Sequence, residues 1–497
     1  MNPDQAYAEL IRLSRERTVL SSCSGLLQWD AEICMPRGGV THRGEQLALL
    51  AGLAHDRATD PRIGELLATA EASSLMSDPG STEAVNVREL RRDYDRETKL
   101  PKRLVEEMAR VSAMSSQAWM QARDSDDFAS FAPWLDQTFA LAREKADAVG
   151  WTGARYDALL DDYEPGMTTA QLSALFAHLR TELVPLVDSL RKTPAPSPKL
   201  DRDFPLDRQR TFAEGVAVQL GFNLEQGRFD LGPHPFCSFI GPGDVRIALR
   251  YHPRNFASGF LAVLHETGHA LYEQGLDSAH YGTPMGEAVS LGIHESQSRL
   301  WENLVGRSDG FWRHFYPKLQ GEFGMQNVSL DEFRTGMNHA APGLIRVEAD
   351  EVTYNLHIVI RFELERSLLS GDLHAGDVPG AWNDLYQRYL GLTPPDDRSG
   401  CLQDIHWSEG LIGYFPTYTL GNVYAAQLFD AAERAAGPLE DSFAAGDFSG
   451  LRNWLGENVH RHGRRYRPVA IIERATGKAP DPSALIASLS ARYGIAQ

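Results

Sequence analysis

The sequence predicts a mostly α-helical protein with one small β-sheet beside a helix that carries paired histidines. Three observations carry this. Apolar side chains recur at three- and four-residue steps through much of the 497 residues, one Gly- and Pro-dense stretch alternates like a strand, and a cluster of histidines follows it.

The helical pattern is plain in 102–150. KRLVEEMARVSAMSSQAWMQARD sets Leu104, Met108 and Val111 on one face with charges between them, and FAPWLDQTFALAREKADAVG ends on Gly150, suited to a C-cap. DDYEPGMTT (161–169) carries turn residues before the helical run AQLSALFAHLRTELVPLVDSLRK. Four prolines in 193–205 (TPAPSPKLDRDFP) break helix and suit an exposed connector. The expected organisation is a single catalytic unit over 1–497. Its parts are an N-terminal helical part (1–192), a metal- and substrate-binding part (207–420) and a C-terminal helical part (421–497). In GRFDLGPHPFCSFIGPGDVRIALRYHP, Val245, Ile247 and Leu249 alternate with Arg246, Ala248 and Arg250 after a Gly-Pro-Gly turn, the signature of a short strand in a hairpin.

Composition narrows the function. With 67 Asp and Glu against 49 Lys and Arg, the net charge is −18, which argues against nucleic acid or an anionic membrane as partner. Cys23, Cys34, Cys237 and Cys401 are too scattered for a disulfide framework. The opening MNPDQAYAELIRLSRERTVL lacks the apolar run of a signal peptide, and no stretch has the ~18 apolar residues of a membrane span. A cytoplasmic protein is expected.

Six of the sixteen histidines lie between 234 and 294, around LHETGHALYEQG. His265 and His269 are four residues apart on a predicted helix, so both imidazoles leave one face and can chelate one metal ion. Glu266 between them can serve as general base toward water. Leu261, Leu264, Ala270 and Leu271 give the helix its apolar side, and Gly275 is expected to end it in a left-handed conformation. Gly268 weakens the helix by about 1 kcal/mol, tolerable where another backbone must come close. A hydrolytic metal site needs a third protein ligand, and SLGIHESQSRLWENLVG offers two. Neighbours on a helix point about 100° apart, so only one of His294 and Glu295 is expected to bind, with Glu295 preferred.

The order HPF (234–236), DVRIA (244–248), HETGH (265–269), HESQ (294–297), IRVEAD (345–350) and GCLQDIHW (400–407) resembles the carboxypeptidase Taq family of zinc metallocarboxypeptidases. The resemblance extends from the N-terminal LLQWDAEICMPRGGVTHRGEQ to LGENVHRHGRRY near the end. It implies a helical fold similar to neurolysin and angiotensin-converting enzyme with a deep active-site groove. It also implies a homodimer, and release of single C-terminal residues from peptides with broad preference. His265, His269 and Glu295 match the family's metal ligands and Glu266 its base, with Zn²⁺, or Co²⁺ in its place, as the metal. One position departs: Ala248 stands where the family pattern has Thr.

A carboxypeptidase must hold a free carboxylate, which a bidentate arginine does well. Arg346, read as lying near the start of a long helix, is the first candidate and Arg246 the second. The competing role for Arg346 is an ion pair with Glu348 or Asp350. His406, Tyr414 and Tyr418 are candidates to steady an oxyanion or bind substrate, His234 is a further candidate, and Cys237 reads as packing. Two other classes fit parts of the pattern: a zinc endopeptidase or oligopeptidase, and a non-catalytic helical binding protein.

Overall fold

The computed structural model describes residues 1–191 and 196–493, so Thr193 to Ala195 of the predicted connector lie outside the described residues. Helices dominate, as expected. The 102–150 window forms two, Lys102–Ser125 and Phe128–Val149, with Leu104 and Val111 buried and Gly150 ending the second at φ 92°. The run after DDYEPGMTT forms Thr169–Leu190, started by a capping box between Thr168 and Gln171. Past the connector, Pro198–Leu200 makes a short 3₁₀ turn. No helix among the described residues is long and apolar enough to cross a membrane.

The sheet has three strands, β1 (Gly227–Leu231), β2 (Phe236–Gly241) and β3 (Asp244–Leu249), in the order β1-β3-β2. β2 and β3 form the expected antiparallel hairpin, turned at Gly243 with φ 81°, while β1 adds parallel to β3. Val245, Ile247 and Leu249 are buried and join the main core, so the alternation in the sequence marks the inward face. Ala248 is also buried, and a side chain at Gly232 would come within 3.3 Å of its Cβ and 2.9 Å of Ile33. The missing family hydroxyl would therefore lie in a buried, closely packed part of the sheet beside Gly232.

The core runs through Phe256–Gly275, the helix bearing HETGH. Asn255 caps it by accepting from the Ser258 N–H. Its first two turns bury Phe256 and Phe260, whose rings stack at 5.2 Å and meet Phe212, Phe323 and Trp312. Each such side chain removed from water contributes about 1.5–3 kcal/mol, which anchors the first turns of the helix in the core. The end of this helix corrects the expectation for Gly275. It is the last helical residue, and the chain leaves through Leu276 at φ −66°, in ordinary extended conformation. A Cβ on Gly275 would lie 2.4 Å from the His460 imidazole, so the glycine serves close packing.

Candidate metal centre

A second helix, Leu291–Arg299, crosses the first and continues into a π-helical turn, Leu300–Val305. Its N-terminus is fixed twice: Ser290 accepts from the Ile293 N–H at 3.0 Å, and the buried Glu164 carboxyl accepts from Gly292 at 3.0 Å and from the Tyr424 hydroxyl at 2.9 Å. Glycines set its distance from both neighbours. A Cβ on Gly268 would lie 2.5 Å from the Gln297 carbonyl oxygen, and one on Gly421 2.4 Å from Glu295 Cγ. The first explains why the metal helix carries a poor helix former inside its motif. Gly268→Ala is expected to destabilise the protein by about 1–3 kcal/mol, because backbone rather than a flexible side chain stands in the way. A urea midpoint equal to that of the unsubstituted protein would refute this.

These helices bring His265, His269 and Glu295 together, with one ligand atom from each within 4.8 Å of the others. Glu295 Oε2 lies 3.7 Å from His265 Nε2 and 3.6 Å from His269 Nε2. The side chains are 19, 16 and 10% exposed, recessed but reachable. Their outward atoms are occupied. His265 Nδ1 is 2.8 Å from Glu302 Oε2, and Arg299 Nε donates to Glu295 Oε1 at 2.7 Å. Each imidazole thus keeps Nε2 for a common point, and the carboxylate turns Oε2 toward it while that oxygen also accepts from the Ser298 hydroxyl at 3.3 Å, the donor set that suits a divalent ion such as zinc. Of the two candidates for third ligand, Glu295 points into the cluster, whereas His294 contacts His269 from behind, Nδ1 to Nδ1 at 2.6 Å.

The charges around the centre follow from burial and pairing. Burial pushes the Glu266 carboxyl up to about 7; His265 opposes this, and Glu295 and Glu302 add to it. Burial, then the neighbouring His294 and His265, keep His269 neutral, well below the usual histidine range. Burial works against an ionised Glu302, yet Arg299 and the bond to His265 bring it down to about 2. Cys237 is a neutral thiol, raised by burial and then by Glu266 and Glu273, as a packing role requires.

Arg346 needs a correction. It lies on a 3₁₀ turn, Arg346–Glu348, and the long helix begins only at Thr353. The Asp350 side chain accepts from the N–H groups of Val352 and Thr353, which starts the helix there and leaves Arg346 upstream of its dipole. Its ion pair is also not with Glu348 or Asp350. Nε and Nη2 donate to Asp404 Oδ1 at 2.9 and 2.8 Å, Nη1 donates to the Tyr354 hydroxyl at 3.1 Å, and the guanidinium lies 5.0 Å from the Tyr418 ring centre. Arg361 binds the other oxygen of Asp404. Asp404 is held far below the usual carboxylate range; burial opposes this, and Arg361 and Arg346 overcome it.

His406 and Tyr418 join this cluster, 3.1 Å apart from Nε2 to hydroxyl, with Tyr414 packed on both rings. Burial, reinforced by Arg346 and Arg361 against the pull of Asp404, lowers His406 to about 4, so it is neutral. Tyr418 lies on Pro416–Ala436, three residues before the Gly421 that abuts Glu295, and so shares that face of the helix. Arg299 over the Tyr354 ring, at 4.5 Å, completes the link from Glu295 to Arg346. Arg246 and His234 make contacts in and around the sheet. Arg246 pairs with Asp244 at 2.7 Å and lies over Trp29, and the exposed His234 is 3.9 Å from Glu32 and packs on Phe236. Glu164, Glu302, Arg299, Asp404 and Arg361 were not singled out from the sequence. Glu302 and Arg299 lie in the SQSRLWENLVG segment already in view, where spacing to Glu295 was the available signal.

Two imidazoles and a carboxylate converging from crossed helices, beside a buried free carboxyl, is the arrangement of a metal-dependent hydrolase. The chain belongs to the carboxypeptidase Taq (M32) metallopeptidase family, whose model matches residues 9–493, and it is a peptide hydrolase. It is 48% identical to thermostable carboxypeptidase 1 of Thermus thermophilus across 99% of both chains, and 36% identical to carboxypeptidase 1 of Bacillus subtilis across 98% of this chain and 97% of that one. The M32 carboxypeptidase of Deinococcus radiodurans superposes with a TM-score of 0.96 at 42% identity, covering 99% of both chains. Metallocarboxypeptidase 1 of Trypanosoma cruzi superposes at 0.94 with 34% identity, covering 98% of this chain and 99% of that one.

Proposed function

We propose that the protein releases single C-terminal amino acids from peptides with broad preference, using Zn²⁺, or Co²⁺ in its place, held by His265, His269 and Glu295. The observation that carries this is the convergence of those three donors beside Glu266. Held there by His265, His269 and Glu295, such an ion would supply Lewis acidity for the scissile carbonyl and for the attacking water. Glu266 takes the proton of the attacking water and passes it to the leaving amine, a task suited to a carboxyl held near 7. Tyr418, with His406 behind it, steadies the developing oxyanion, and Tyr414 lines the substrate's path.

Arg346 anchors the substrate's terminal carboxylate. Its fork is engaged with Asp404, but two guanidiniums share that one carboxylate, leaving one positive charge unmatched in a buried cluster. A substrate carboxylate beside Tyr418 would neutralise it. Arg246 and His234 are further candidates for substrate binding, held on the sheet by Asp244 and by Phe236. Residues 1–497 act as one catalytic unit. Glu164 from the 1–192 part and His460 from the 421–497 part both hold the metal helices, His460 through Gln297 at 2.9 Å. The resemblance favours a homodimer, and four free cysteines suit the cytoplasm.

One unstructured peptide, as free acid and as C-terminal amide, tests the reading by mass spectrometry. Stepwise loss of single residues from the free acid alone is expected. Internal fragments from both forms would instead establish an endopeptidase. Arg346→Ala should lower kcat/KM on the free acid by about 30-fold or more, the scale of a desolvated charge-assisted pair, mainly through KM. An unchanged KM would remove the anchor from Arg346.

A further inference from the structure

The two metal-binding imidazoles are held differently. His265 Nδ1 meets a carboxylate directly, Glu302 at 2.8 Å. His269 Nδ1 instead meets another imidazole, His294 Nδ1 at 2.6 Å, and the far nitrogen of that ring, Nε2, lies 2.8 Å from Glu273 Oε1. We propose that His294 and Glu273 form a two-step positioning relay that fixes His269 in the one tautomer able to bind the metal. This rests on the reading of His265, His269 and Glu295 as metal ligands.

The proton positions follow along the chain. Glu273 Oε1, 2.8 Å from His294 Nε2, is placed as an acceptor, which puts the His294 proton on Nε2. His294 Nδ1 then has a lone pair and accepts from His269 Nδ1–H. His269 Nε2 is left with its lone pair on the side of Glu295. With the order reversed, His269 Nδ1 would meet a proton on His294 Nδ1 in place of a lone pair. His269 and Glu273 are four residues apart on the same helix, so their side chains project from one face with room for a planar ring between them. That ring comes from the residue preceding Glu295, on the crossing helix. One turn of backbone therefore delivers a ligand to the metal and the support for a second ligand. The side chains of His294 and Glu273 are only 20% and 12% exposed, which limits the water that could substitute for either.

The test is metal affinity, read without turnover. Apo-protein, as parent, His294→Ala, His294→Gln, Glu273→Ala and the His294→Ala/Glu273→Ala double variant, is titrated with Zn²⁺ against a chromophoric chelator, with thermal unfolding of each apo form as a check of folding. The expected result for His294→Ala is about 10–100-fold weaker zinc binding, the usual range for loss of a group that orients a ligand. His294→Gln, which keeps one acceptor and one donor, should recover part of it. Glu273→Ala should weaken binding less and add nothing on the His294→Ala background, because Glu273 acts through His294. Zinc affinity within twofold of the parent in His294→Ala would overturn the proposal, as would a Glu273→Ala penalty of full size without His294. Should His294→Ala fail to fold, Glu273→Ala decides alone, and parental affinity there would overturn it. A parent that binds zinc with the predicted variant pattern but cleaves no peptide would leave the relay standing and remove the catalytic reading.

Discussion

Replacing Glu266 by Gln is expected to cut peptide turnover by about 10²–10⁴-fold while metal content stays at the parental level. The substitution keeps shape and volume but removes a buried carboxyl that follows the ligand His265 directly and is not itself one of the three converging donors. Glu295 is tied to Arg299, and Glu302 to Arg299 and His265. Glu266 has no such partner, and burial has raised it to about 7, so near neutral pH it can both take and return a proton. A glutamine has neither ability. Removing a buried carboxyl that resists ionisation costs no ion pair, so the variant should unfold no earlier than the parent. Rate on a free-acid peptide, metal by atomic absorption and the thermal midpoint together decide. Activity within tenfold of the parent at full metal occupancy would take the base role away from Glu266.

How far this was readable in advance depends on the range over which each feature acts. His265, Glu266 and His269 were legible because a four-residue helical spacing is itself geometry. Gly268 was legible as a close approach, though not what approaches: the Gln297 and Ser298 backbone. Arg299 and Glu302 stayed hidden, since Glu302 reaches His265, 37 residues away, from within a π-helical turn that apolar periodicity does not report. The β2–β3 hairpin was announced by its Gly-Pro-Gly turn, whereas β1 pairs directly and in parallel with β3, with β2 between them only in sequence, and carries no turn signal. Arg346 shows the limit most clearly. The apolar pattern beyond residue 353 located the helix body, but local capping by Asp350 decided where it starts. The true partner of Arg346, Asp404, lies 58 residues downstream. Charge pairing across such distances is set by the fold, and a sequence offers only nearer acids to guess from.

That pairing carries the second large effect. Asp404→Asn should destabilise the protein by about 3–5 kcal/mol, because it strands two buried guanidiniums without their shared anion. Arg361 is fully buried and Arg346 nearly so, and their remaining partners are neutral oxygens: the His357 carbonyl, Gln403 and the Tyr386 and Tyr354 hydroxyls. The pH dependence has a definite sign. The folded-state pKa of Asp404 is depressed, so its contribution is complete above the unfolded carboxyl value of about 4 and drains away as pH falls below it. Urea unfolding of parent and variant should therefore differ by a constant amount between about pH 5 and 8, and the two should converge only in acid. Loss of the anion also removes the group that orients the Arg346 fork beneath Tyr418, so KM for a free-acid peptide should rise in the variant even where it remains folded. A gap that closed on raising the pH through neutrality would show that a different group governs the cluster. A variant as stable as the parent would mean that solvent or a bound anion already compensates the two arginines, and the unmatched charge assigned to the substrate carboxylate would have to be given up.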